Sequence, residues 1–415
     1  MAFGHELRER RLGQGVSLTE LSKLTHYSKG HLSKIETGGK RASEDLARRC
    51  DEALEASGEL LAAHCSVSTA RSARTAFQRP AQLPLDRAHF IGRHGETAAL
   101  DRAASRPDHP YRAMPLVVID GMPGVGKTAL ALKWAHRNAA LFPDGVLFHH
   151  LRAHGPAAAP AAPDDVLAAS LRAVGIDDHA IPAGLWDRAA LYRTALTGRR
   201  MLIVLDDAAT ADQVRALLPG APGCMVLVTS RNRLAGLVAR DGAARLSLGP
   251  LSCEDASALL RGVAGAALHG ARPEAVSALS DRCGHLPLAL RIAAEHFSAG
   301  PQDCLEGVVG ELSDPRGRLD FLSCAGDTAA SVRAVFSWSY RSLPQDVARA
   351  FRLIGAAAPE DISPQGAARV LGVPEDLAVR LAQLLCQVNL LQPTASGGYR
   401  CNTLLAAYAA ELAAA

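Results

Sequence analysis

The segment Gly121-Met122-Pro123-Gly124-Val125-Gly126-Lys127-Thr128 constrains this chain more than any other. It fits G-x-x-x-x-G-K-[ST] and sits between the two elements that this pattern requires. Before it, Leu116-Val117-Val118-Ile119 is β-like; after it, TALALKWAHRNAALF has the period of an amphipathic helix. A strand, a glycine-rich turn and a helix in that order bring backbone N–H groups and a positive helix end to one point, which makes an anion cradle of phosphate size. Gly121, Pro123, Gly124, Val125, Gly126 and Ala129 belong to that cradle. Lys127 is placed to bridge the β- and γ-phosphates of a nucleotide, and Thr128 to ligate Mg2+.

Met201-Leu202-Ile203-Val204-Leu205-Asp206-Asp207 supplies the partner, a buried apolar strand ending in two carboxylates. Asp206 is expected to hold Mg2+ through water and Asp207 to polarise an attacking water, which makes them the candidate catalytic pair. Val226-Leu227-Val228-Thr229-Ser230-Arg231 reads as another buried strand. In a parallel sheet the strand C-terminal ends line the ligand crevice, so Arg231 is placed to sense a γ-phosphate. Between about 90 and 250 the runs LVVID, GVLFHHL, MLIVLDD and CMVLVTS alternate with helical stretches, which predicts a parallel sheet with helices on its faces. The Ala- and Pro-rich tract 153–165 reads as a surface loop within this block.

The N-terminal block, about 1–64, is a string of short amphipathic helices. Ser17-Leu18-Thr19-Glu20 is a capping box that predicts a helix start. Leu21 and Leu24 on that helix, and Leu32 and Ile35 on the next, are spaced i, i+3 to face a shared core. The His26-Tyr27 turn separates the two helices, and Ser28 is the next N-cap. Two short helices joined by a tight turn form the helix-turn-helix pattern, whose second helix enters the major groove of double-stranded DNA. Ser28, Lys29, His31, Ser33 and Lys34 then face phosphate or base edges, with Lys40 and Arg41 holding the backbone. The other reading of this block is a small helical protein-interaction module. Charge favours the DNA reader: residues 1–50 hold 10 Lys+Arg against 6 Asp+Glu, a local +4, while the whole chain is +3. The stretch LRERRLGQGVSLTELSKLTHYSKGHLSKIETGGKRAS resembles the XRE-type helix-turn-helix over about sixty residues, including the ending Ile35-Glu36-Thr37-Gly38. It departs at Leu18, where that family usually has a Gln that braces the recognition helix and touches phosphate.

From about 88 to 410 the chain resembles the NB-ARC ATPases of the STAND class. The resemblance rests on the nucleotide motifs together with Phe90-Ile91-Gly92-Arg93 and Gly284-His285-Leu286-Pro287-Leu288-Ala289-Leu290. It implies that Phe90, Ile91 and Arg93 meet adenine and phosphate, and that Pro287 packs near the adenine from a helical domain. The segment from SVRAVFSWSY onward resembles the winged-helix domain that closes such switches, with Leu390-Leu391-Gln392-Pro393 and Gly397-Gly398-Tyr399-Arg400 as a wing hairpin. Where that family has Met-His-Asp, this chain has Cys401-Asn402-Thr403. Asn402 is expected to donate one hydrogen bond to phosphate without the imidazolium charge, giving a less stable ADP-locked state or a nucleotide held mainly by the glycine-rich loop.

The expected fold class is therefore multidomain α and α/β: helix-turn-helix bundle (1–64), linker (65–89), P-loop parallel α/β domain (90–250), helical domain (251–325) and winged-helix domain (326–415). A length of 415 residues accommodates this, at roughly 150 residues per domain. Hydrophobic residues at 48% and charged residues at 21% exclude dominant disorder, and no apolar run reaches the roughly 18 residues of a membrane span. The charged N-terminus does not read as a secretory signal, so the expected location is cytoplasmic, without a membrane partner. Nine cysteines (50, 65, 224, 253, 283, 304, 324, 386 and 401) lack any C-x-x-C pair, so neither a zinc ribbon nor a redox motif is indicated, and most read as small buried hydrophobes. The winged-helix reading reaches to within a few residues of the sequence's end, leaving no TPR, WD40 or leucine-rich repeats within it.

Together these features point to a nucleotide-controlled transcription regulator that binds double-stranded DNA, with ATP/ADP and Mg2+ as ligands and slow ATP hydrolysis. The resemblance further implies nucleotide-dependent self-association and regulation of antibiotic biosynthesis. Two alternatives stand beside this reading: an ATP-driven initiator-type remodeller of nucleic acid, and a DNA-binding repressor whose nucleotide is a structural ligand.

Overall fold

The computed structural model of the protein describes residues 3–40, 42–61, 78–105, 113–155, 159–268, 270–299, 305–314, 317–357 and 361–414. Arg41, Cys65, Cys304, residues 65–77 of the expected linker and 156–158 of the Ala/Pro tract lie outside these. The chain divides into two compact units, residues 1–78 with 174–180 and residues 79–173 with 181–415.

Among the described residues, the helices of the first unit include α1 (Phe3–Gly13), α2 (Leu18–Thr25), α3 (Lys29–Glu36) and α4 (Glu44–Ala53). Three start on serine caps. Ser17 and Glu20 form the reciprocal capping box, Ser28 accepts from His31 N, and Ser43 accepts from Leu46 N. Their core is Phe3, Leu7, Leu21, Leu32, Ile35, Leu46, Cys50, Leu54 and Leu60. One expectation fails here, because Leu24 is 56% exposed. The buried positions of α2 are Leu21 and Thr25. At about 100° per residue they centre the inner face some 80° away from Leu24. The Thr25 hydroxyl is tolerated in the core because it donates to Leu21 O at 2.7 Å.

The second unit is built on five parallel strands, β1 (Leu116–Gly121), β2 (Val146–His150), β3 (Leu202–Ala208), β4 (Met225–Ser230) and β5 (Ala244–Leu248), in the order β2-β3-β4-β1-β5. The four apolar runs identified in the sequence are the first four strands. β5 (ARLSL) escaped notice because it is an edge strand with mostly exposed side chains and no apolar run. β4 lies between the strand that feeds the glycine-rich loop and the strand that carries Asp206, so its C-terminal residues sit between those two groups.

Beyond residue 251 the unit is almost entirely helical, with helices Cys253–Ala264, Pro273–Arg282, Pro287–Ala299, Val332–Arg341, Gln345–Ala357, Glu375–Gln387 and Thr403–Ala414 among others. The hairpin expected at Gln392-Pro393 and Tyr399-Arg400 is present, and Ile362 exchanges two backbone hydrogen bonds with Tyr399 beside it. A second hairpin, Ser323–Cys324 with Asp327–Ser331, was not anticipated. One continuous apolar cluster runs from Leu100 and the sheet residues Val117, Ile119 and Val204 through Leu290 and Phe351 to Tyr408. The three blocks inferred for 90–415 thus share a core. The Ala/Pro tract is also shorter as a loop than its composition implied, since Pro163 opens a helix that runs to Ala173 and Ala161 is buried.

The fold is accordingly multidomain α and α/β, with a helical N-terminal unit, a parallel five-stranded sheet and a further helical region. Among the described residues, no helix is long and apolar enough to cross a membrane.

Candidate functional site

β1 delivers the chain into the glycine-rich loop, and the helix Lys127–Asn138 begins directly after it. Gly126 caps that helix at φ 98°, a left-handed conformation that a side chain strongly disfavours. Gly124 has φ 79°, and a Cβ there would lie 3.3 Å from the Leu288 side chain. Lys127 Nζ donates to Gly121 O (2.8 Å) and Met122 O (3.0 Å), folding the ammonium back over its own loop. Burial, with Arg231 nearby, pushes Lys127 down to about 7.

Thr128 Oγ1 and Thr229 Oγ1 each donate to Asp206 Oδ1 at 2.7 Å, while His150 Nδ1 lies 3.1 Å from Asp206 Oδ2. The contact with Asp206 raises the His150 pKa. A buried carboxylate facing a threonine hydroxyl at the start of the loop helix fits a hard divalent cation held by oxygen ligands. Asp207 has other partners. Its oxygens accept from His154 N (2.7 Å) and contact His154 Nδ1 (2.9 Å), and Arg231 Nε is 3.9 Å away. Burial holds His154 below the usual histidine range, so at neutral pH a neutral imidazole donates Nδ1–H to the carboxylate. Burial also tends to raise Asp207, but His154 and Arg231 outweigh it and hold the carboxyl low. In this conformation Asp207 is thus held by His154 and faces Arg231.

These groups line a cavity of about 500 Å3. Pro123, Gly124, Gly126, Lys127, Thr128 and Ala129 come from the loop, Asp206, Asp207, Thr229 and Arg231 from the sheet ends, and Pro287, Leu288, Arg291 and Trp338 from the helical segments. Gly121 and Val125 support the loop from behind: a Cβ on Gly121 would lie 2.6 Å from Leu248 O, and Val125 is fully buried. A recess of about 40 Å3 is walled by Phe90, Ile91, Arg93, Val125, Gly126, Ala129, Pro287 and Arg291. Arg93 bonds Glu96 and the carbonyls of Gly249 and Val125, so it braces this recess. The sequence-predicted nucleotide residues therefore come together, with one exception. Asn402 is not part of the cavity lining, because its amide donates to Gly284 O at 3.0 Å and its Oδ1 accepts from Leu404 N at the start of the last helix.

Arg231 does more than reach into the cavity. Its Nη1 donates to Val335 O (2.7 Å) and Ser339 Oγ (2.8 Å), and its guanidinium lies 5.8 Å from the Trp338 ring centroid, tying the end of β4 to the helix Val332–Arg341. Burial lowers it to about 10, still charged at neutral pH. Sequence reasoning missed His150, Arg152, His154, Arg291 and Trp338. The signal for His150 was its place at the C-terminal end of β2, where strand ends meet a ligand. His154 was hidden in the tract read as a surface loop. Asn389 was also missed, and it donates to Asp120 Oδ2 (3.1 Å) and Arg231 O (2.9 Å).

In the first unit, α3 exposes Lys29 and Lys34, leaves His31 and Ser33 half-buried, and is followed by exposed Lys40. The Ser28 hydroxyl is committed to capping. His31 packs against Tyr27 with ring centroids 5.5 Å apart. Behind this face, Arg11 and Glu36 form a two-bond ion pair at 2.7 and 2.8 Å, tying α1 to the end of α3, and Arg11 also donates to Val16 O.

Comparison with known proteins agrees with both halves of this description. A family model described as a helix-turn-helix domain matches residues 2–63. The chain is similar to the regulatory protein AfsR of Streptomyces coelicolor, 42% identical over 369 residues, which is 88% of this chain and 36% of that protein. It is also similar to the regulatory protein AfsR of Streptomyces griseus, at 39% over 378 residues, 91% of this chain and 36% of the relative. It thus spans little more than a third of each of these relatives. Among solved structures it resembles the Walker-type ATPase PABY2304 of Pyrococcus abyssi, with a TM-score of 0.52 at 11% identity, over 79% of this chain and 97% of the other. At this identity the likeness concerns the fold alone.

Proposed function

We propose that this chain is a nucleotide-controlled, DNA-binding transcription regulator of the cytoplasm, whose second unit is an ATP/ADP switch of the NB-ARC type with slow hydrolysis. The observation that carries the reading is the composition of the cavity wall. Lys127, Thr128 and Asp206 come from the sheet end, while Pro287, Leu288, Arg291 and Trp338 come from the helical segments. A ligand that fills such a cavity is bound by both sets of groups at once, so its affinity depends on how they are arranged, and by linkage it biases that arrangement.

Lys127 and the loop N–H groups would bind phosphates, Thr128 and Asp206 would hold Mg2+, and the Phe90–Ile91–Pro287 recess would take the base. Bound Mg2+ would neutralise phosphate charge. Asp207 would polarise a water only after leaving His154, which agrees with slow turnover. Arg231 would exchange its bonds to Val335 and Ser339 for a terminal phosphate. In the first unit Lys29, His31, Ser33, Lys34 and Lys40 would face DNA, with Arg41 expected beside them. The similarity to two regulatory proteins supports the regulatory part. Antibiotic biosynthesis as the regulated process and nucleotide-dependent self-association belong to the same reading.

The test is to denature the purified protein, identify any released nucleotide, and compare binding to in-vitro-selected duplex DNA with ADP and with ATP. The switch reading requires a bound adenine nucleotide and DNA affinities that differ between the two. Absence of any bound or bindable nucleotide overturns it, and steady turnover stimulated by DNA would identify a remodeller instead.

A further inference from the structure

Three side chains outside the cavity converge where the first helical segment meets the Gly284–Pro287 loop. Cys253 opens the helix Cys253–Ala264, Asp281 lies in the last turn of Pro273–Arg282, and His285 follows in the loop. Their donor atoms all lie within 4.8 Å of one another. His285 Nε2 is 2.8 Å from Asp281 Oδ1 and 4.0 Å from Cys253 Sγ.

The histidine is oriented by its other nitrogen. Nδ1 lies 3.2 Å from Leu251 O and Nε2 2.8 Å from Asp281 Oδ1, so both ring nitrogens face groups that only accept. A neutral imidazole has one N–H for the two contacts; with it on Nδ1, Nε2 presents a lone pair that a cation beside the carboxylate would satisfy. A backbone carbonyl fixing the distal nitrogen is also how metal-ligating histidines are held. Tetrahedral zinc, at about 2.3 Å from sulfur and about 2.0–2.2 Å from nitrogen and oxygen, sets its donors roughly 3.3–3.6 Å apart. The observed separations bracket that value, so small side-chain rotations suffice. Cys253 is also the one exposed cysteine among those described, whereas Cys50, Cys224, Cys283, Cys386 and Cys401 are buried.

We propose that Cys253, Asp281 and His285 form a binding site for a borderline-soft divalent cation, Zn2+ by its ligand set, with water as the fourth ligand. On binding, the Cys253 S–H bond is replaced by a sulfur–metal bond and the thiol proton goes to solvent. The sequence offered no C-x-x-C signal because the ligands are 28 and 4 residues apart and meet only through the fold. The ion would clip the segment leaving the sheet, where Leu251 N already donates to His285 O at 3.0 Å, to the loop that delivers Pro287 and Leu288 to the cavity. The proposal stands independently of the nucleotide reading.

Titration of the full chain with Co2+ should give a thiolate-to-cobalt band in the near ultraviolet and tetrahedral d–d bands, saturating at one equivalent and bleached by Zn2+. Cys253→Ser should abolish the near-ultraviolet band, while Asp281→Asn and His285→Ala should each weaken Co2+ at least tenfold. Zn2+ should raise the Tm of the wild type and leave that of Cys253→Ser unchanged. The proposal is overturned if the wild type shows no thiolate band at one equivalent, or if the band survives in Cys253→Ser.

Discussion

Thr128 Oγ1 donates to Asp206 Oδ1 across 2.7 Å, joining the first turn of the loop helix to the end of β3. The pair is thus already assembled for a cation that would replace this hydrogen bond with two oxygen ligands. Thr128→Ala and Asp206→Asn should each remove most of the Mg2+-dependent part of ADP affinity, on the order of 10–100-fold for a lost charged contact of about 1.5–3 kcal/mol. Affinity in EDTA should change little. Calorimetric titration with and without Mg2+ checks this, and a mutant that keeps the wild-type ratio of the two affinities refutes it.

Lys127 should make nucleotide binding in the proposed site depend on pH. In the ligand-free site burial and Arg231 push it down to about 7, and a bound phosphate would favour its charged form. Above about pH 7 the bound state then holds more protons than the free state, so affinity should fall as pH rises, by up to tenfold per unit. ADP titrations from pH 6.5 to pH 9 in buffers of different ionisation enthalpy would show proton uptake. Lys127→Arg, which stays charged, should flatten the profile, whereas a flat wild-type profile would contradict the assignment.

The sheet and the glycine-rich loop were legible because both are written locally: an apolar run, a glycine-rich turn and a helix start occupy consecutive residues. The partners of those groups were less legible. Asp207 and Arg231 were correctly placed at strand ends, but their bonds to His154, Val335 and Ser339 join residues 53 to 108 positions apart and depend on packing that no local pattern encodes. The bond from the Asn402 amide to the Gly284 carbonyl is of the same kind, since alignment with a motif places a residue in sequence but does not give its partners across 118 positions. Leu24 shows the limit of i, i+3 spacing, which does not say on which side of the pair the inner face is centred.

Arg231 should couple the cavity to the helix Val332–Arg341. Arg231→Met keeps the length but removes both hydrogen bonds and the cation over Trp338, so stability should fall by about 2–3 kcal/mol. Because Arg231 helps depress Lys127, the same variant should move the midpoint of the Lys127-linked pH profile upward. Chemical denaturation and the pH series read these separately. An unchanged midpoint would show that the two side chains do not interact.

The Arg11–Glu36 pair should hold α1 against α3. Both side chains are under 10% exposed, so Glu36→Ala leaves a guanidinium buried with only the Val16 carbonyl as partner. The cost should be about 3 kcal/mol, seen as roughly hundredfold faster amide exchange in the core of residues 3–61 of the full chain. Replacing both residues with apolar ones of similar size should cost much less. Equal losses for the single and double variants would mean that packing, and not the stranded charge, is responsible.

The exposed lysines of the first unit predict a salt signature if this face meets DNA. Each lysine that neutralises a phosphate releases counterions, so Lys29→Ala, Lys34→Ala and Lys40→Ala should each reduce the slope of log affinity against log salt by about 1, with similar losses on all sequences. His31 is half-buried on the same helix and packed on Tyr27, which suits a fixed contact with a base edge better than a mobile contact with phosphate. His31→Ala should therefore leave the salt slope nearly unchanged while narrowing the gap between selected and random duplexes by about 1–3 kcal/mol. If the lysine variants lose affinity with no change in slope, α3 is not the helix that lies against the phosphates, and the basic charge of this unit serves another surface.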